Sequence, residues 1–202
     1  DAAPHYDETD VEGGNVILKS ARKLTDDSKI DLQAYIDYDN RDVIWLDRSN
    51  RTIDLEAKHQ LRYDDKNEII YGLGYRNTTD RYTDTYVNGS GSMVVFDPDK
   101  LTHDIYSAFF QNKTEISPDK LYLILGSKFE YNDFTHANMQ PTARLSYFPK
   151  SDHHIWGAVS KAVRTPTRWE DGMTRKLTTG ATLVGNKQYG DETTISYELG
   201  YK

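Results

Sequence analysis

From Ile30 to Asp39 the chain alternates with a period of two. Ile30, Leu32, Ala34, Ile36 and Tyr38 share one face, and Asp31, Gln33, Tyr35, Asp37 and Asp39 share the other. The pattern returns from Thr52, where Ile53, Leu55, Ala57, His59, Leu61 and Tyr63 oppose Asp54, Glu56, Lys58, Gln60 and Arg62. It recurs in Ile69, Tyr71, Leu73 and Tyr75, then in Leu121, Leu123, Leu125, Phe129 and Tyr131, and finally in Ile195, Tyr197, Leu199 and Tyr201. A helix, at about 3.6 residues per turn, would scatter such faces around its axis, so these segments are strands. Residues 14–24, 104–116, 140–148 and 154–164 alternate less cleanly. In 104–116 either Ile105 and Phe109 or Tyr106 and Phe110 could lie on the apolar face. The reading is all-β, with about nine strands in an antiparallel up-and-down meander.

The connections divide by length. Short polar turns rich in Asp, Asn, Ser and Pro fall at 25–28, 64–67, 117–120 and 149–152. Longer connections are expected at 40–51, 76–103, 132–139 and 165–192, so short and long alternate. In a meander, alternate connections emerge at the same end, which puts the turns at one end and the loops at the other. Transmembrane β-barrels have this asymmetry, and a Greek-key sandwich has no reason to show it. The mixed charges of the second face, among them Asp31, Asp54, Glu56, Lys58, Lys128, Glu130, Arg144 and Glu198, suit a polar lumen. A soluble sandwich would solvate the same face and bury the apolar one under a second sheet.

Composition narrows the functional classes. A net charge of −7 and a pI near 5.3 leave no basic face for nucleic acid. Cys is absent, so thiolate metal sites and disulfides are excluded. No apolar run is long enough for a membrane helix, but a spanning strand needs only about 9–11 residues with every second one apolar. A mean hydropathy of −0.78 therefore does not exclude a membrane. The 15 Tyr residues suit a membrane–water interface, and equally a Tyr-rich soluble sheet.

Two stretches carry a family resemblance. LYLILGSKFEYNDF (121–134) supplies Leu121, Leu123, Gly126, Lys128 and Glu130. QPTARLSYFPKSDHHIWGAVSKAVRTPTRWE (140–170) supplies Pro141, Leu145, Tyr147 and Pro149, then Trp156, Ser160, Lys161, Val163, Arg164, Thr165 and Pro166. In that order they resemble successive barrel strands of TonB-dependent outer-membrane receptors, and ISYELGYK (195–202) looks like the next strand. Upstream, 13–42, 53–63 and 69–76 look like earlier ones. The family fold is a barrel of about 22 strands with an N-terminal plug. Nothing here resembles the plug or the segment that engages TonB, and the usual C-terminal aromatic residue is missing. Residues 1–202 are therefore expected to be a partial β-barrel domain, an internal fragment of about nine strands with two open edges.

The resemblance implies a receptor of the Gram-negative outer membrane, not an enzyme. It would bind a metal chelate, most often a ferric siderophore, and import it through a plug driven by TonB. Its partners would be outer-membrane lipid, TonB and the iron–siderophore complex. Arg81, Tyr82, Tyr86, Arg168 and Trp169, in the expected outer loops, are candidate ligand contacts, because Arg pairs with anionic chelates and aromatic rings stack. Lys128, Glu130, Arg144 and Glu198 are candidate lumen- or plug-facing residues, or hydrated wall residues paired among themselves. No catalytic or metal constellation and no cofactor site emerges. Asp152-His153-His154 falls at a short turn, Asn88–Met93 lacks the strand and helix that flank a phosphate loop, and Asp54 with Glu56 looks like a lumen wall. The alternative is a soluble all-β carbohydrate- or ligand-binding module. A small outer-membrane enzyme would need a Ser–His pair facing lipid, which is not found.

Overall fold

The computed structural model describes residues 9–43, 46–83, 94–177 and 180–202. Nine long strands form one antiparallel sheet. They are β1 (Asp10–Thr25), β2 (Ser28–Val43), β3 (Leu46–Arg62), β4 (Asn67–Thr83), β6 (Lys100–Ser117), β7 (Leu121–Asn132), β8 (His136–Lys150), β9 (His153–Arg164) and β12 (Glu192–Tyr201). Each pairs with its neighbours in chain order, and β1 and β12 are the two edges. Three short strands, β5 (Val94–Phe96), β10 (Met173–Lys176) and β11 (Thr182–Val184), make a second small sheet, with a single-turn helix α1 (Arg168–Gly172) beside it.

The register settles the faces, because directly paired residues point to the same side. Leu125 pairs with Ala143, and Ala143 with Val159, which pairs with Tyr197. Leu55 pairs with Tyr75, Tyr75 with Tyr106, and Tyr106 with Tyr131. Tyr106 and Phe110, not Ile105 and Phe109, therefore join the apolar face. That face is uncovered among the described residues: Leu73 is 66% exposed, Tyr197 79% and Leu199 84%. A soluble sandwich would bury these side chains at roughly 1.5–3 kcal/mol each. This sheet leaves them open, which removes the sandwich alternative and fits a face made for lipid.

The apolar band also drifts across the register. Tyr197 on β12 traces through paired residues to Ser28 on β2, six residues short of Ala34, the middle of the apolar face of β2. Six residues rise about 20 Å, and seven strand spacings span about 34 Å. The band lies level with a bilayer only if the strands lean by about 30°, close to the ~35–45° of closed barrels.

The long-loop end differs from the expectation. The strands run on through much of 40–51: β2 continues to Val43 and β3 starts at Leu46, with Arg41 opposite Arg48 and Asp42 opposite Asp47. The loop expected at 132–139 is a tight turn of 133–135. Asn132, 1% exposed, accepts from the Phe134 and Thr135 amides at 3.0 and 2.9 Å and so closes it. Two long excursions remain, between β4 and β6 and between β9 and β12. Both emerge at the same end, as expected, while the opposite end carries four short turns.

Candidate functional site

The two excursions meet on the polar face at the long-loop end. Asp80 and Tyr82 close β4 on that face, alternating with outward Thr79 and Arg81. Tyr82 stacks on Phe96 with ring centroids 3.9 Å apart, and Trp169 packs edge-on to both. Leu46, Tyr82, Val94 and Phe96 form a small buried core, with Val43, Trp169 and Met173 packed against it. β10 holds β5 on one side and β11 on the other. Residues from both excursions thus fold into one cap seated on the sheet wall.

Arg168 pins this cap. Its Nε donates to Asp80 Oδ1 at 3.1 Å, with both side chains under a tenth exposed. Its Nη2 donates to the Pro98 carbonyl, and the guanidinium lies 5.3 Å from the Phe96 ring centre. A buried pair of this kind repays its desolvation only with such extra hydrogen bonds. Helix α1 starts at a capping box. Thr167 Oγ1 accepts from the Glu170 amide, and the Glu170 carboxylate accepts from the Thr167 amide at 2.8 Å. Arg164, at the end of β9, forks between Glu170 and Glu192 at 2.7–2.9 Å. Its guanidinium, with the Thr167 amide, holds the Glu170 carboxyl at about 2, so this carboxylate stays ionised throughout the ordinary pH range.

Below the cap the polar face is laced with ion pairs. Asp31 meets Lys29 and Lys58 at 2.9 and 3.3 Å, Arg76 meets Asp54 at 2.8 Å, and Lys128 meets Glu130 at 2.7 Å. Arg144 lies over the Trp156 ring at 4.7 Å. Trp156 in turn covers Gly200, where an added Cβ would lie 2.3 Å from the indole. Gly in this strand makes room for the ring.

The residues singled out from sequence separate. Lys128, Glu130, Arg144 and Glu198 share the polar face. Tyr82, Arg168 and Trp169 come together in the cap, where the first two are buried as its frame and Trp169 is half-buried. Arg81 and Tyr82 stand on strand β4, not in a loop, and Arg81 points to the apolar side, away from the cap. Tyr86 and Asn88–Met93 lie outside the described residues. His153 bonds the Tyr201 hydroxyl at 2.6 Å and His154 stacks on Phe148, so the Asp152-His153-His154 run seals a hairpin end against β12. No three potential metal ligands converge among the described residues. Sequence reasoning missed Asp80 and Phe96, which have no local signal. It also missed the Thr167-x-x-Glu170 capping box, which the spacing does show.

A single sheet with one apolar face, a charged opposite face and loops folded over the charged side is the wall of a transmembrane β-barrel. The chain belongs to the TonB-dependent receptor-like β-barrel family, whose profile matches residues 5–202. That family consists of outer-membrane transport receptors of Gram-negative bacteria. The fold resembles the siderophore receptor PirA from Pseudomonas aeruginosa, with a TM-score of 0.75 at 16% identity over 96% of this chain and 36% of that one. It also resembles a mutant of the ferric enterobactin receptor PfeA from Pseudomonas aeruginosa, with a TM-score of 0.70 at 15% identity over 96% and 32%. The RagAB peptide importer aligns with a TM-score of 0.59 at 10% identity over 96% and 28%. The chain thus spans about a third of the length of these structures. No curated protein matches its sequence.

Proposed function

We propose that the chain is part of the barrel of an active-transport receptor in the outer membrane of a Gram-negative bacterium. In this reading the receptor binds a metal chelate, a ferric siderophore, and imports it with energy delivered through TonB. The observation that carries the reading is the direction in which the long connections fold. Among the described residues they cover the ion-paired face at one end and leave the apolar face bare. A chelate entering that end meets the cap first and the charged lumen wall below it. The remaining strands and the plug lie outside residues 1–202, and Lys128, Glu130, Arg144 and Glu198 face that plug. Trp169 of the cap and Tyr86 of the β4–β6 connection are the proposed chelate contacts. Tyr82 and Arg168 hold the cap in place.

Siderophore import fits the resemblance to the siderophore receptor PirA and the ferric enterobactin receptor PfeA, and the resemblance to the RagAB peptide importer makes peptide import the competing reading. Uptake assays separate the two. Deleting the gene that encodes the chain should abolish uptake of radiolabelled iron from one member of a siderophore panel and leave the others unchanged. Intact uptake across the panel, with loss of peptide or cobalamin uptake instead, would overturn the siderophore assignment. Absence of the protein from detergent-extracted outer membrane would overturn the receptor reading itself.

A further inference from the structure

Past the apolar band toward the long-loop end, the outward face of β3, β4 and β6 turns basic, two residues from the band on β3 and six on β4 and β6. Alternation places Arg51, Arg81 and Lys100 on the face that carries Leu55, Leu73 and Tyr106, with Arg51 opposite Thr79 and Arg81 between Ser49 and Lys100. With Tyr38, Thr79 and Thr102 they line one depression of about 450 Å³. Arg51 stands two residues before Ile53, the first apolar residue of β3 on this face. Arg81 and Lys100 stand six residues past Tyr75 and Tyr106, about 20 Å along the strands.

All three cations are exposed and enter no ion pair among the described residues; on the lumen face Lys29, Arg48, Lys58, Arg76 and Lys128 are ion-paired and Lys113 and Arg144 lie over aromatic rings, while Lys19 enters no ion pair among the described residues either. Unpaired positive charge collected on one outward patch stands out in a chain of net charge −7. The nearest carboxylate on the band side, Asp104, already accepts from Tyr75 and Asn77 at 2.9 and 2.7 Å. On the far side, Asp42 and Asp47 face each other across β2 and β3.

We infer that this patch binds the phosphorylated headgroup of a lipid in the leaflet at the long-loop end. The inference rests on the outer-membrane reading. The lipid's acyl chains lie along Leu55, Leu73 and Tyr106, while the two guanidinium groups and the ammonium take the phosphate oxygens. The Tyr38 hydroxyl, and the one proton left free by the 3.0 Å hydrogen bond between the Thr79 and Thr102 hydroxyls, donate to neighbouring sugar or ester oxygens. A free anion would gain nothing from the apolar band below the cations. A lipid spans both parts of one continuous face.

The test uses the intact receptor, reconstituted in phosphatidylcholine vesicles containing diphosphoryl lipid A. Co-purifying lipid is measured by mass spectrometry for wild type, for Arg51→Gln/Arg81→Gln/Lys100→Gln, and for Arg22→Gln/Lys66→Gln/Lys120→Gln at the short-turn end. The first triple variant should retain diphosphoryl lipid A at least tenfold less than wild type, and the second should match wild type. Equal retention by both variants would overturn the site. So would full displacement of the lipid by an equimolar amount of inorganic phosphate, which would mark a free-anion site. Heat-modifiable migration reports insertion separately. An inserted receptor that does not discriminate sinks only the lipid site, whereas a wild type that does not insert sinks the membrane reading as well.

Discussion

Arg168→Met should release the cap from the wall while leaving the nine-stranded sheet intact. The substitution keeps the bulk of the side chain and removes its charge, so Asp80 is left buried with no cation. Breaking a buried pair from one side costs about 3–5 kcal/mol, because the abandoned charge stays desolvated. That cost falls on cap docking, since Arg168 belongs to the excursion and Asp80 to β4. Limited proteolysis should therefore cut within 165–191 at rates hundreds of times higher than in wild type, with heat-modifiable migration unchanged. Pairing Arg168→Met with Asp80→Asn should restore most of the protection, because the stranded charge is gone. Unchanged protection in the single variant would show that the cap is held elsewhere, through Tyr82, Phe96 and Trp169.

The second large effect lies on the opposite face. Leu73→Arg should destabilise the folded receptor in bilayers by about 2–4 kcal/mol, the cost of a guanidinium near the middle of the lipid-facing band. In a soluble protein, replacing a side chain that is 66% exposed would be near neutral. The size of the effect therefore separates the two environments. Gln33→Arg, on the ion-paired lumen face between Asp31 and Tyr35, should stay within about 0.5 kcal/mol. Unfolding by urea from vesicles reads both. Near-equal costs for the two variants would contradict the assignment of faces.

Alternation made the membrane-depth part of every strand legible, because there one side chain in two meets lipid and the next meets water. It failed where both faces meet water. At 40–43, 46–51, 76–83 and 100–103 the strands rise past the band, so Asn40 and Asp39, or Thr79 and Asp80, are polar on both sides. Those residues read as loop although the ladder of backbone hydrogen bonds continues through them. The same blindness misplaced Arg81, which looked like a loop residue and is an outward strand residue. That Lys128, Glu130, Arg144 and Glu198 share the polar face was readable because their parity is fixed against Leu125, Leu145 and Leu199. The cap was not readable. Asp80 and Arg168 are 88 residues apart, and only the fold brings them together.

The most direct measurement is a cysteine-by-cysteine spin-label scan of Leu121–Tyr131, made simple because the chain contains no native cysteine. With the receptor in bilayers, labels at 121, 123, 125, 127, 129 and 131 should collide with dissolved oxygen, and those at 122, 124, 126, 128 and 130 with a water-soluble nickel reagent. Accessibility that rises and falls in phase for both reagents, or that shows no period of two, would contradict a wall with lipid on one side and water on the other.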